Sequence, residues 1–262
     1  MSVGSAATAA SLSARAVLAL AVALACLAAA RSLAAQETER ARRWDVAVDL
    51  GLNAAKGNTD LTVLSTSLGV KHLVTEEFRL EWSGSIRYGE SEGEVVARNV
   101  RTQLSFDLHP DAVVSPFFYA DMERDPFRRM RLRSDGGAGA KYTLWRRGSE
   151  EASLSIAGLY SRQAFFPHAT GEITPARTDA RFSGRGRVRR HFGDARVEHT
   201  SFFRPVLDEL NDYTYDATTR VSTKLNDMVS FTFTHTYRHN SVPPDGVGRE
   251  DQSFQAGIRV QF

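Results

Sequence analysis

From residue 44 onward the chain alternates with a period of two, over segments longer than most soluble proteins use. Trp44, Val46, Val48, Leu50 and Leu52 alternate with Asp45, Ala47, Asp49, Gly51 and Asn53. At the other end Phe254, Ala256, Ile258, Val260 and Phe262 alternate with Ser253, Gln255, Gly257, Arg259 and Gln261. Successive side chains of a strand point to opposite faces, so such runs give one oily and one wet face. The pattern recurs in about twelve segments of roughly 10–14 residues. That is long enough to cross a bilayer at a tilt. An amphipathic last strand ending on Phe262, read as the signal for the barrel-assembly machinery, fits the same picture. The expected fold is all-β: a transmembrane up-and-down antiparallel β-barrel of about 12 strands. A secreted β-sandwich also alternates, but strand length and the placement of aromatic residues argue against it.

The N-terminus places this barrel in an envelope. Arg15 precedes an apolar run from Ala16 to Ala30, and Ser32-Leu33-Ala34 offers small residues for cleavage. This predicts a removed signal peptide over 1–34, a short tether over 35–43 and a barrel over 44–262. Cys26 is the one cysteine and leaves with the signal, so neither disulfide nor cysteine–metal chemistry is expected. The signal takes Arg15 and Arg31 from the 33 bases, leaving 31 against 31 acids. That balance gives no support to a nucleic-acid partner. After the signal no stretch approaches about 18 apolar residues, so no spanning helix is expected.

Connections and aromatic residues supply topology. Thr75-Glu76-Glu77, His109-Pro110-Asp111, Arg146-Arg147-Gly148, Gly193-Asp194 and Asn226-Asp227 read as short periplasmic turns. The longest connections, Phe166 to Arg177 and Asn240 to Gly248, read as extracellular. Trp44, Phe78, Phe106, Tyr142, Phe192 and Phe262 gather near one set of ends; Tyr88, Tyr160, Tyr213, Tyr215 and Tyr237 gather near the other. Amphipathic rings favour both membrane interfaces. The predicted location is the outer membrane of a Gram-negative bacterium.

Gly57-Asn58-Thr59-Asp60, and the block Glu123-Arg124-Asp125-Pro126-Phe127 followed by Arg133, Gly137, Gly139, Ala140 and Tyr142, resemble a salt-induced outer membrane protein family grouped among domains of unknown function. The resemblance spans Trp44 to Phe262. It implies an outer-membrane barrel and brings no reaction, ligand or catalytic residue. Gly57 and Asn58 suit a tight hairpin. Glu123 and Asp125 are expected to pair with Arg124, Arg128 or Arg129 at the rim. Gly137 and Gly139 are expected to leave room for a bulky side chain from across the barrel or to let the strand bend.

The eighth strand carries the strongest chemistry. Arg181, Arg185, Arg187 and Arg189 share one parity; Ala180, Phe182, Gly184, Gly186 and Val188 share the other. Arginine facing lipid at the midplane costs about 2–4 kcal/mol, so the arginines face inward. Arg196, Arg204, Arg220, Lys224 and Arg238 join them, giving about sixteen inward bases against about ten inward acids. Two states follow. Either the arginines pair with Asp45, Asp49, Glu81, Asp121, Asp135, Glu198 and Asp216 to fill the lumen, or their surplus steers small acidic solutes through a narrow anion-preferring channel. Acidic sugars, carboxylates and phosphates are the solutes such a channel would hold.

Other readings are weaker. Arg128, Arg129 and Arg131, in a predicted extracellular loop, have the charge to bridge lipopolysaccharide phosphates. His199 and Ser201 share the outward face of the ninth strand, the arrangement a lipolytic enzyme would use, but no acid or amide is placed to orient the histidine. The other histidines show no metal spacing, and no phosphate loop or dinucleotide fingerprint is present. The expectation is a non-enzymatic, cofactor-free and metal-free barrel, structural or associated with osmotic and salt stress. It is expected to be a monomer embedded among outer-membrane lipid and lipopolysaccharide, since a closed barrel has no edge to pair.

Overall fold

In the computed structural model, residues 43–55, 61–91, 93–167 and 175–262 are described. The segments read as signal peptide and tether fall outside this set apart from Arg43, as does the Gly57–Asp60 motif. Twelve strands follow in chain order: β1 (Trp44–Ala55), β2 (Leu61–Thr75), β3 (Phe78–Ser91), β4 (Glu94–Leu108), β5 (Val114–Asp125), β6 (Met130–Arg147), β7 (Glu150–Phe165), β8 (Arg177–Phe192), β9 (Ala195–Pro205), β10 (Tyr213–Lys224), β11 (Val229–Asn240) and β12 (Glu250–Gln261). Each pairs antiparallel with its sequence neighbours, and β1 pairs with β12 from Ala47 with Gln261 to Leu52 with Ala256. The ring is therefore closed.

The period of two explains which way each strand faces. Ile156 and Tyr160 on β7 are 59% and 65% exposed on the outer surface, while Ser153, Ser155 and Ser161 between and beside them are buried. On β5, Phe118 and Met122 are exposed while Asp121 and Glu123, each 1% exposed, point inward. Apolar outside and polar inside is the inverse of a soluble domain and the arrangement of an outer-membrane-type barrel. Strands range from 11 residues in β9 to 18 in β6. Crossing a bilayer at a tilt takes about 9–11 residues, so β6 extends well past the hydrocarbon.

All five connections expected to be short are turns. Gly148 and Gly193 both have φ of +59°, the left-handed region that glycine enters without steric cost. These two turns join β6 to β7 and β8 to β9. At the opposite end lie the connections 166–176 and 241–249. Register shifts lie at Leu73/Thr75, Gly89/Glu90, Glu123/Asp125, Met130/Leu132 and Thr143/Trp145, close to strand ends, where bulges reshape a rim.

Girdle rings pack on one another. Trp44 stacks on His72 at 3.8 Å, and Phe78 faces Phe106 at 5.9 Å, toward the short-turn end. Tyr215 meets Tyr237 at 6.1 Å and Tyr213 meets His239 at 5.5 Å toward the other. Trp145 adds to the first girdle, with the Arg190 guanidinium 5.8 Å from its ring.

One expectation about the interior is corrected. The space over Gly137 and Gly139 is taken by the next strand and not by a residue from across the barrel. A Cβ on Gly137 would strike the Gly158 carbonyl and Leu159; one on Gly139 would strike the Ile156 carbonyl and Ala157. Gly137 and Gly139 are the register partners of Leu159 and Ala157. With Phe117 and Tyr119, those two β7 side chains form a small apolar cluster inside the barrel. Burying them there removes apolar surface from lumen water.

Candidate functional site: the lumen

The lumen is built from inward residues of all twelve strands, and its centre is ionic. On β5, Glu123 accepts hydrogen bonds from Arg133 (2.7 Å), Asn99 (2.8 Å) and Arg238 (3.0 Å). Asp121 accepts from Arg101 at 2.7 Å, and Arg133 lies 3.6 Å from Asp121 and 3.4 Å from Asp135. Arg238 also approaches Asp216 at 3.7 Å, and Asp216 accepts from Arg204 at 2.8 Å. The network thus runs from β4, β5 and β6 to β9, β10 and β11.

The Glu123–Arg238 bond determines the shape. β5 and β11 stand six places apart in a ring of twelve, so this bond joins opposite walls. Glu123 is held among three donors in a low-dielectric interior. Its partners satisfy a charge that would otherwise be costly to bury. The expected pairing of Glu123 with Arg124, Arg128 or Arg129 is corrected accordingly. Asp125 also differs from expectation: it caps the short 3-10 turn Pro126–Arg128, accepting from the backbone N–H groups of Phe127 (3.1 Å) and Arg128 (3.3 Å). Arg124 points outward, 5.4 Å from the Phe166 ring.

The eight arginines singled out from the sequence divide into groups. Arg181 reaches Asp179 at 3.2 Å and Asp212 at 4.0 Å. Arg187, Arg189 and Arg196 converge on one carboxylate, Glu198, at 2.5, 3.7 and 3.6 Å. Arg204 and Arg238 belong to the central network. Among the described residues, Arg185 and Arg220 have no carboxylate within 4.0 Å. Arg185 donates to Ser155 at 3.0 Å and lies 5.5 and 6.0 Å from the Phe117 and Phe202 rings. Arg220 donates to Thr234 at 3.3 Å.

The acids proposed to fill the lumen all find bases: Asp45 with Lys71, Asp49 with Arg259, Glu81 with Arg79, Asp121 with Arg101, Asp135 with Arg133, Glu198 with Arg187 and Asp216 with Arg204. Phe117 and Phe202, which cradle Arg185, were not singled out from the sequence. Their parity was the available signal, since Phe117 lies on the same face of β5 as Asp121 and Glu123, and Phe202 on the same face of β9 as Glu198 and Arg204.

The mouth at the long-loop end is partly spanned. Arg128 reaches Asp251 on β12 at 3.5 Å, and Arg129 donates to the carbonyls of Phe166 (3.1 Å) and Asp245 (3.2 Å). Arg131 lies in β6 and not in a loop as expected, and is exposed. Among the described residues, cavities lie beneath the mouth. One of about 330 Å³ is lined by Arg129, Arg177, Arg181 and Asp212; another of about 400 Å³ lies against β1–β5 and β10–β12.

His199 and Ser201 do not assemble. His199 Nδ1 sits 2.9 Å from Thr219 Oγ1, and no His199–Ser201 hydrogen bond exists among the described residues. No cluster of three His, Cys, Asp or Glu side chains is placed to hold a metal among them either.

Known barrels share this outline at low identity. A NanC porin is 11% identical, covering 83% of this chain and 98% of its own, at a TM-score of 0.49. The translocator domain of the autotransporter NalP from Neisseria meningitidis is 10% identical over 95% of this chain and 98% of its own (TM-score 0.45). KdgM porin is 11% identical over 84% and 99% (TM-score 0.44). Likeness at this level says nothing of solute or activity. No curated protein matches the sequence. The sequence itself does match a family model, that of a protein of unknown function, DUF481, over residues 48–262, a span that takes in the Glu123–Arg133 ion pair, both lumen-facing glycines of β6 and the closing strand; the chain belongs to that family.

Proposed function

We propose that this protein is a non-enzymatic barrel of the bacterial outer membrane whose lumen is filled by paired charge, serving the envelope structurally and under osmotic or salt stress. The long-loop end faces outward and the short turns face the periplasm. The observation that carries the reading is the Glu123–Arg238 bond, which ties opposite walls together across the lumen. The pairing of every proposed lumen acid supports it. Planar-bilayer recording tests it. The wild-type protein is expected to give no resolvable unitary current, and the Glu123→Ala, Arg238→Ala double variant is expected to give one. Stable wild-type currents of porin size would sink the filled-lumen reading.

One feature favours a second reading, a narrow anion-preferring channel. Three arginines share Glu198, and Arg185 and Arg220 lack a carboxylate, so positive charge is in surplus on the β8–β10 wall. Such a wall raises local anion concentration in a confined aqueous path. Reversal potentials in a salt gradient test this reading: any residual current is expected to be anion-selective, and cation selectivity ends it.

A further inference from the structure

The cavity of about 400 Å³ adjoins the ionic centre at Arg238 and adds neutral walls to its charged ones. Its walls are rich in hydroxyls. Thr232, Thr234 and Thr236 of β11 share the inward parity, with Thr218 on β10, Ser253 on β12, and Ser65, Ser67 and Ser85 on β2 and β3. These side chains both donate and accept hydrogen bonds and carry no charge. Five guanidiniums also line it, those of Arg87 on β3, Arg98 on β4, Arg128, Arg220 on β10 and Arg238 on β11.

The carboxylates around this space are already engaged. Asp49 is held by a two-pronged bond from Arg259, at 2.7 and 2.9 Å, and by Ser67 at 3.1 Å. Asp125 caps its turn and accepts from Asn99 at 3.2 Å. Asp251 is met by Arg128 at 3.5 Å. Arg87 and Arg220, by contrast, have no carboxylate within 4.0 Å among the described residues. Arg220 uses one of its five N–H groups on Thr234. The cavity therefore offers two inward forks that have no carboxylate, beside paired charges and rows of neutral donors and acceptors. Its size falls within the range of small-molecule sites, about 300–1,000 Å³.

We propose that this cavity is a binding site for a hydroxylated organic acid of the uronic-acid type. The carboxylate is taken by Arg220 or Arg87, and the ring hydroxyls by the β10–β12 and β2–β3 hydroxyl rows. A guanidinium fork matches a carboxylate in a planar, two-bond geometry. A bare anion would leave the hydroxyl rows unused, and a neutral sugar would leave the guanidiniums unmatched. The site deepens the anion-preferring reading, but binding in solution does not depend on conduction. Absence of binding alongside anion-selective currents therefore removes the site alone; binding without current removes the channel alone.

The test is calorimetric titration of the refolded protein in detergent with D-glucuronate, D-glucose and acetate, folding being checked by heat-modifiable gel migration. Glucuronate is expected to bind, and glucose and acetate to bind at least tenfold more weakly. Arg220→Gln is expected to weaken glucuronate by about tenfold or more, the loss of one charge-assisted pair. Arg87→Gln, at an exposed lumen position, provides an independent arm and is expected to weaken it in the same direction. Thr234→Val is expected to weaken glucuronate while leaving acetate unchanged. Glucuronate binding no tighter than acetate, or unchanged affinity in both arginine variants, overturns the proposal.

Discussion

Glu123 shows how much one side chain can hold. It is 1% exposed and accepts from donors on β4, β6 and β11. Glu123→Gln keeps the shape and removes the charge, leaving Arg133 and Arg238 without their shared partner. Breaking a buried pair from one side costs about 3–5 kcal/mol. The expected result is a lower urea midpoint for the heat-modifiable band in lipid vesicles, with the barrel still forming there in the absence of urea. Arg131→Gln, at an exposed position on the neighbouring strand, is expected to change the unfolding free energy by less than about 0.5 kcal/mol. A Glu123→Gln protein as stable as the parent would mean that the cross-lumen bond holds nothing together. The sequence reading places Glu123 at the rim, although it shares the parity of the inward Asp121. Its partner was not legible, because Arg238 lies 115 residues away and only closure of the ring brings them together.

At the scale of elements, β6 offers a controlled comparison on its two faces. Gly136 has open space around its would-be Cβ, whereas Gly137 would drive its Cβ into the β7 backbone. Gly136→Ala is therefore expected to be near neutral. Gly137→Ala is expected to destabilise by about 1–3 kcal/mol, the usual cost of overpacking, because a carbonyl cannot rotate away as a side chain can. Thermal unfolding followed by gel migration separates the two; equal losses would mean that β6 and β7 are not as closely apposed as described. Strands and turns were the most legible part of this molecule. Alternation fixed the faces of β7 and β8, and Gly193-Asp194 marked a turn through the backbone freedom of its glycine. Inward apolar residues such as Leu159 were harder to read, since an oily residue in a run of serines breaks the rule that identifies the lumen. The rim was harder still: Asp125 turned out to cap a turn, a local backbone role that charge counting does not reveal.

For the whole molecule, the inside-out distribution sets a depth for each of the three tryptophans. Trp82 lies on the outer face of β3, its indole N–H donating to Thr102 at 3.0 Å. Trp44 and Trp145 lie near the short-turn ends of β1 and β6, within or beside the aromatic girdle. In vesicles carrying bromine at different acyl positions, single-tryptophan variants retaining Trp82 are expected to be quenched most by the deeper label. Those retaining Trp44 or Trp145 are expected to respond to the shallowest. The same order for all three, or no quenching at all, would remove the bilayer from the outer surface.

The seam between β1 and β12 has a temporal meaning. Ala47 and Gln261 are partners although nearly the whole chain separates them. A ribosome therefore delivers β12 only after every other strand of the ring, and every shorter nascent piece carries two bare strand edges able to recruit a stranger. Protection from premature pairing must come from outside the barrel until β12 arrives, and a lesion in β12 would endanger the cell through what it leaves sticky as much as through what it fails to build.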